Sequence, residues 1–325
     1  MILDFFFFPL FSYVIIIIGL GFIRCIDPLI HLNFQKISFP FAILFGLFSI
    51  GFVSFTVNFF AKVNNPYVYA VLSIFFLLGL ADIKSYTKNE HLLLLLFTLI
   101  FTPLASSLGP GYDGGLYHLP HQWWIREHKI VFGLANFHGR FGFSSLQEYI
   151  SAPLWIHENL KLLSYSLSLY IITFFLYLYN NIKIYKFSLI FFVLCILISF
   201  PMLKNHMPLG FTYTDISSGF LFIIAFLYGF QILKKYDLDK EDIFLFVFVA
   251  LFAFLIKSST VMIIFWLFFV FLNILIKKNI KFLKLIQINC IWIFILLAWF
   301  LKNVVVSGCL IYPAGITCIN VPWAA

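Results

Sequence analysis

Long apolar runs separated by short polar links are the feature that most constrains this chain. The mean hydropathy is +1.03, and 10% of the residues are charged. Soluble domains carry about 25% charged residues, so a water-soluble globule, a disordered chain and a secreted domain are all excluded. Because a bilayer crossing takes about 20 apolar residues, the sequence predicts an all-α, polytopic integral membrane protein with one transmembrane domain over residues 1–325.

Ten runs are candidate transmembrane helices, and they cover about residues 5–23, 37–60, 66–81, 91–104, 162–180, 185–203, 216–233, 243–256, 258–276 and 285–306. Met1 to Asp4 holds no cationic stretch and no small-residue cleavage site follows it, so we expect the first run to remain as a helix. One helix over residues 244–276 would be about 50 Å long, too long for a hydrocarbon core of about 30 Å. A break is therefore expected at Lys257-Ser258-Ser259.

The basic residues predict the orientation. Thirteen of the 21 Lys and Arg residues lie on alternate links, beginning with the link after the first span. Short cytoplasmic links collect these residues, so we expect the N-terminus and the long link of residues 105–161 to lie outside. The net charge of +8 is scattered in small groups between apolar runs, which argues against nucleic acid as a partner.

The link of residues 105–161 concentrates the polar side chains. It holds five of the eight His, seven of the 17 Gly and two of the three Arg. Lysine is the usual cation of this chain, so Arg126 and Arg140 suggest a need for a planar donor pair that binds phosphate or carboxylate. The alternative is that a polar segment simply collects polar residues, and it explains the histidines better than the arginines.

Two turns in this link present candidate side chains. Pro110–Gly115 predicts a tight turn with Asp113 as its only carboxylate. Asn136–Gly142 predicts a second turn that presents His138 and Arg140.

Two short helices are expected beside these turns. Residues 116–131 contain paired tryptophans and mixed charge, which is typical of a helix lying in the membrane interface. Ser145-Leu146-Gln147-Glu148 predicts a capping box that opens a second helix reaching about Ile156, with a bend at Pro153.

Three more candidates lie outside the long link. Lys257 and Lys302 lie at helix ends near the depth of the lipid headgroups, where they either bind phosphate or extend to the interface for solvation. Asp215 opens a span, where it either faces the site or caps the helix. Only Asp215 and Glu148 could join Asp113 around a divalent metal ion, so metal dependence stays open.

Cys309 and Cys318 share the outward C-terminal segment, where an oxidising compartment permits a disulfide or leaves two free thiols. The chain ends at Val321–Ala325 just after an outward turn, an ending that leaves room for a further distal segment.

Over about residues 91–325 this layout resembles the membrane glycosyltransferases of the GT-C superfamily, such as protein O-mannosyltransferases and lipid A aminoarabinose transferases. The resemblance implies that Asp113 acts on the acceptor, that Tyr117 and His118 are the aromatic pair after it, and that Asp215 is a second acidic residue. It also implies a polyprenyl-phosphate-linked sugar as donor, a cell-surface glycan or lipid as acceptor, and the outer face of the bacterial inner membrane as location. Asp113 is followed by Gly114, where those two groups have a Glu.

The segments at residues 136–142 and 307–313 also resemble an uncharacterised bacterial family of polytopic membrane proteins, which implies no reaction.

The residue chemistry agrees with glycosyl transfer, which needs a base for the attacking hydroxyl and cations for the leaving phosphate. Asp113 is the candidate base. The candidate phosphate-binding cations are Arg126, Arg140, Lys257 and Lys302. The candidate sugar-binding histidines are His118, His121 and His138.

The sequence leaves three alternative functions: an O-antigen polymerase or ligase, a transporter or flippase, and a non-catalytic scaffold of envelope polysaccharide assembly. Spans nearly free of ionisable groups disfavour transport.

Overall fold

Helices joined by mostly short links make up the described part of the chain. The computed structural model describes residues 2–30, 37–157, 159–182, 210–212, 214–235, 238–277 and 281–325. The α-helices in these ranges are α1 (Asp4–Ile30), α2 (Phe39–Asn58), α3 (Pro66–Gly79), α4 (Lys88–Ser107), α5 (Leu119–Glu127), α6 (Leu146–Leu154), α7 (Lys161–Asn180), α8 (Asp215–Lys234), α9 (Lys240–Ile256), α10 (Ile263–Lys277), α11 (Phe282–Ile288) and α12 (Cys290–Ser307).

Eight helical stretches within the described residues are long and apolar enough to cross a membrane, and they contain α1–α4, α7, α8, α10 and α12. The chain is thus a helical membrane protein by the length and composition of its helices. The predicted span at 185–203 lies outside the described residues. The predicted span at 243–256 is α9, whose 17 residues are short for a crossing and are buried from Phe248 to Ile256.

The expected break is present, because α9 ends at Ile256 and a 3₁₀ turn over Ser258–Met262 precedes α10. Other boundaries differ from the prediction. The run predicted at 285–306 is divided, since α11 ends before Asn289 and α12 begins after it. Helix α4 extends to Ser107 and α7 begins at Lys161, so the predicted link of residues 105–161 narrows to residues 108–160.

Glycines bring α1 close to its neighbours. A Cβ on Gly19 would lie 2.1 Å from the carbonyl oxygen of Ala42 in α2, and a Cβ on Gly79 of α3 would lie 1.9 Å from the carbonyl oxygen of Ile17. Only glycine permits these backbone distances, which is how small residues serve helix packing in membranes.

Residues 108–160 cover one end of the helical bundle, which we call the loop end. The side chain of Asn58, the last residue of α2, donates hydrogen bonds to the carbonyl oxygens of Ile125 at 3.2 Å and His128 at 2.8 Å. At the same end, Asp4 opens α1 and forms an ion pair with Lys161, which opens α7. The candidate functional site lies at the loop end.

Candidate functional site

The turn that carries Asp113 is fixed against the segment that leads into α8. The amide of Phe211 donates to the carbonyl oxygen of Gly109 at 2.9 Å, and the hydroxyl of Thr212 donates to that of Pro110 at 2.5 Å. A Cβ on Gly210 would lie 2.4 Å from the carbonyl oxygen of Pro110, so this contact requires glycine. The Asp113 turn therefore packs against the segment of residues 210–212, and Asp215 follows Thr212 by three residues.

Asp113 belongs to a connected group of side chains on the loop end. Its Oδ2 accepts a hydrogen bond of 2.8 Å from the hydroxyl of Tyr117, one turn later in the π-helical segment Gly114–His118. The guanidinium of Arg140 lies 5.2 Å from the Tyr117 ring centroid. This distance is typical of a cation–π contact. A carboxylate and an exposed arginine are thus joined through one tyrosine.

His138 flanks the same tyrosine. Its Nδ1 accepts a 3.2 Å hydrogen bond from the backbone amide of Arg140 and caps the 3₁₀ turn Gly139–Gly142. Its ring stacks beside that of Tyr117, with 6.4 Å between centroids. The second predicted turn therefore presents both His138 and Arg140 to the Asp113 group.

Glu148 is buried between two histidines. Its Oε1 lies 3.2 Å from Nδ1 of His118 and its Oε2 lies 2.8 Å from Nδ1 of His121, while its side chain is 3% exposed. Burial alone would raise the pKa of Glu148, but charge interactions and hydrogen bonds with His121 and His118 lower it to about 2. Glu148 is therefore an anion that holds both imidazoles in place.

The predicted capping box at the start of α6 is half right. The hydroxyl of Ser145 accepts from the amide of Gln147 at 3.2 Å, as a capping serine does. The carboxylate of Glu148 contacts the histidines instead of returning to the backbone, because the charge interaction there offsets the cost of its burial. His118 and His121 are three residues apart, a spacing that places side chains on one helix face and could have indicated the pair from sequence.

Lys302 is enclosed beneath this group. The residue is 1% exposed, its ammonium donates to the hydroxyl of Ser144, and it interacts electrostatically with Glu148. It also lies 5.5 Å from the ring centroid of Tyr149. A small cavity of about 10 Å³ has Lys302, Tyr149 and His121 in its wall, which is room for about one water molecule. Because Ser144 and the aromatic rings enclose its ammonium, Lys302 neither extends to the interface nor lies where a phosphate could reach it, and both interpretations of Lys302 are wrong.

Asp215 and Lys257 form an ion pair at the loop end, between the carboxylate Oδ1 and the ammonium. The side chain of Asp215 is 68% exposed and that of Lys257 34% exposed, so both face outward from the bundle. Asp215 is the first residue of α8 and Thr214 occupies the cap position, so the cap interpretation for Asp215 is wrong. The hydroxyl of Ser145 donates to the carbonyl oxygen of Ile256 at 2.6 Å, which ties α6 to the residue before Lys257.

Arg126 has a structural position. Its guanidinium donates to the carbonyl oxygens of Ala152, at 3.2 Å, and of Trp155, and it lies 5.3 Å from the Trp155 ring centroid. These are the carbonyls that a helix end leaves without a partner in the helix. Arg126 therefore holds the end of α6, and of the two arginines singled out, Arg140 is the one exposed beside Asp113.

The C-terminal segment packs against the turn that carries Arg140. Cys309 and Cys318 are joined by a disulfide bond. Within the loop that this bond closes, Tyr312 packs so closely that a Cβ on Gly142 would lie 2.7 Å from its ring. This contact could not be predicted from the sequence, because it joins segments distant along the chain.

The sequence profile of the family described as "Domain of unknown function (DUF8201)" matches residues 1–325. The chain belongs to the DUF8201 family. No curated protein and no solved structure matches it.

The chemistry available at the loop end of this DUF8201 chain follows from these groups. A carboxylate beside a tyrosine can accept a proton or orient a hydroxyl, and an exposed guanidinium and ammonium can bind phosphate oxygens. Among the described residues, no group of three or more His, Cys, Asp or Glu side chains is arranged to hold a metal ion.

Proposed function

We propose that this DUF8201 chain is a GT-C-like membrane glycosyltransferase. It moves a sugar from a polyprenyl-phosphate donor to a cell-surface glycan or lipid acceptor on the outer face of the bacterial inner membrane. The distribution of Lys and Arg supports this orientation, since it favours the loop end outside.

One observation carries the proposal: the Asp113 carboxylate and the Arg140 guanidinium both contact Tyr117, one through a hydrogen bond from its hydroxyl and the other over its ring. Glycosyl transfer needs these two kinds of group close together, because a proton leaves the acceptor while negative charge develops on the donor phosphate.

In the proposed step, the acceptor oxygen forms a bond to the anomeric carbon of the sugar, and the bond from that carbon to the phosphate oxygen breaks. The acceptor proton passes to the carboxylate of Asp113. Polyprenyl phosphate leaves with the negative charge, which Arg140 and Lys257 stabilise by charge-assisted hydrogen bonds.

Glu148 and the histidines hold the side chains of this site in a fixed orientation. The His118 ring lies 4.4 Å from the Tyr117 ring, centroid to centroid, and Glu148 contacts Nδ1 of the same imidazole. Catalytic side chains work when their orientation is held by such supporting contacts. His118 and His138 both lie against the Tyr117 ring, where they hydrogen-bond sugar hydroxyls in the proposed reaction.

The test uses Asp113→Asn in proteoliposomes that contain radiolabelled polyprenyl-phosphate hexoses and a membrane extract as acceptor. We expect transfer to fall about a hundredfold or more, because general-base catalysis contributes about 10² to 10⁴ in rate. Asp239→Asn is the matched control, since Asp239 is an exposed aspartate in the link between α8 and α9 and should leave transfer unchanged.

Full transfer by Asp113→Asn would contradict the proposal. Absence of transfer by the native chain, together with movement of the donor lipid between leaflets, would instead favour a flippase.

A further inference from the structure

A large apolar groove opens on the side of the bundle, between the first three turns of α1 and the start of α7. Its cavity volume is about 900 Å³, which lies at the upper end of the range for small-molecule sites, about 300–1,000 Å³. Leu3, Phe7, Leu10 and Val14 form its α1 wall and recur every three or four residues, on one helix face. Leu3, Phe7 and Leu10 are each more than half exposed, so the other described residues leave this wall open. We call this cavity the α1–α7 groove.

The groove has a polar end at the loop end of the bundle. Nζ of Lys161 lies 2.7 Å from Oδ1 and 2.9 Å from Oδ2 of Asp4, and the hydroxyl of Tyr165 donates to Oδ1 at 2.5 Å. The Asp4 carboxylate is 2% exposed, whereas the Lys161 side chain is 41% exposed. His157 and Asn159 are exposed on the same rim.

This rim offers hydrogen-bond donors. Asp4 directs its oxygens to Lys161 and Tyr165, and the Oδ1 of Asn159 accepts from the backbone amide of Lys161 at 2.9 Å. Beside the exposed His157 imidazole, which can donate or accept, the rim thus presents the Lys161 ammonium and the Asn159 amide nitrogen, both hydrogen-bond donors. An acceptor-rich headgroup such as a phosphate complements them.

The polar end adjoins the turn that carries Asp113. The hydroxyl of Ser164 donates to the carbonyl oxygen of Leu108 at 3.1 Å, and Leu108 is followed by Gly109 and Pro110, which anchor that turn. A chain lying in the groove would therefore bring its headgroup to the base of the candidate site.

We infer that the α1–α7 groove binds the hydrocarbon chain of a long-chain lipid phosphate, with Lys161 and Asn159 donating to the phosphate. The inference deepens the proposed function and rests on it for the identity of the lipid, a polyprenyl phosphate. An apolar groove with a donor-lined end fits a lipid whose single chain and compact phosphate lie in line.

The test is photocrosslinking of the detergent-purified chain with a diazirine-bearing polyprenyl monophosphate. We expect crosslinks on residues 3–14, which excess unlabelled polyprenyl monophosphate removes and equal amounts of inorganic phosphate or phosphatidylglycerol do not. Leu10→Trp should lower crosslinking about fivefold or more because an indole overfills the groove. Leu297→Trp on α12, at a leucine of equal exposure, is the matched control and should leave crosslinking unchanged.

The headgroup contact has its own variant. Lys161→Gln alone would leave a buried carboxylate without its cation, so it is combined with Asp4→Asn, which keeps the shape and removes both charges. We expect this pair to weaken competition by the lipid phosphate while competition by a polyprenyl alcohol stays the same.

Crosslinks that phosphatidylglycerol removes equally well, or that Leu10→Trp leaves unchanged, would overturn the groove inference and reduce the cavity to general lipid contact. Groove-specific crosslinks combined with full transfer by Asp113→Asn would keep the groove and contradict the proposed reaction. The two proposals therefore fail separately.

Discussion

Replacing Glu148 by Gln removes the buried anion of the site and changes its shape little. The carboxylate approaches Nδ1 of His118 and of His121, and it faces the ammonium of Lys302 electrostatically. A carboxamide carries no charge, so both imidazoles lose their anionic partner and the buried amine of Lys302 loses its counter-charge.

Two estimates give the size of the effect. The pKa of Glu148 is about 2 against a usual 4.5, which corresponds to about 3 kcal/mol of stability at neutral pH. Breaking a buried ion pair by removing one partner typically costs about 3–5 kcal/mol, in agreement. We therefore expect Glu148→Gln to lower the free energy of unfolding by about 3 kcal/mol and the melting temperature by roughly 5–10 °C.

The assay is thermal unfolding of the purified chain in detergent, followed by tryptophan fluorescence. Because the pKa of Glu148 is lowered in the fold, its stabilisation is present above pH 4.5 and is lost as the pH falls towards 2. The difference between the native chain and Glu148→Gln should therefore shrink as the pH falls below 4.5. Adding Lys302→Met should recover part of the loss, since it removes a buried amine that has lost its counter-charge.

Glu127→Gln on α5 is the matched control. Glu127 accepts from Lys62 at 3.2 Å and from Asn64 at 3.1 Å, but its side chain is 28% exposed. A partly exposed pair contributes at most about 1 kcal/mol, so this variant should melt close to the native chain. Equal melting temperatures for Glu148→Gln and Glu127→Gln would refute the argument that Glu148 is an ionised anchor.

Two further predictions concern the C-terminal segment. The double variant Cys309→Ser and Cys318→Ser should lower the free energy of unfolding by about 3 kcal/mol, because the disulfide removes the closure entropy of a short loop from the unfolded chain. Reduction of the native chain should shift its melting curve by the same amount. Unchanged melting in both experiments would count against a stabilising role for the disulfide. Gly142→Ala should destabilise by about 1–3 kcal/mol because a Cβ there meets the Tyr312 ring, whereas Gly115→Ala, with no atom within 4 Å of its Cβ, should be neutral in the same assay; equal melting of the two glycine variants would contradict the packing.

Much of the fold follows from hydropathy alone. Apolar runs of bilayer length predict helices whatever their packing, and the excess length of residues 244–276 predicts the break at Lys257. The division of the last run at Asn289 was missed, because two polar residues, Gln287 and Asn289, are a weak signal in a long apolar run. The boundary of α4 was also missed, although Thr87 and Glu90 form the capping box that opens this helix.

The candidate site was predictable as a set of residues but not as an arrangement. Asp113, His138 and Arg140 stood out because a polar link in an apolar chain concentrates functional groups, and the structure places them around Tyr117. The role of Glu148 could not be read from its motif, since the same spacing serves a helix cap or a buried ion pair. Arg126 shows the converse, because an arginine chosen for phosphate recognition turns to the carbonyl oxygens that end α6.

The side of the membrane on which the loop end lies tests the central claim most directly. In a chain with Cys25, Cys195 and Cys290 replaced by Ala, Tyr112→Cys and Asp239→Cys each offer one exposed thiol, at the loop end and in the link between α8 and α9. A membrane-impermeant maleimide applied to intact cells should label Tyr112→Cys at once and Asp239→Cys only after permeabilisation. Labelling of Asp239→Cys alone in intact cells would place the Asp113 group in the cytosol and contradict the account.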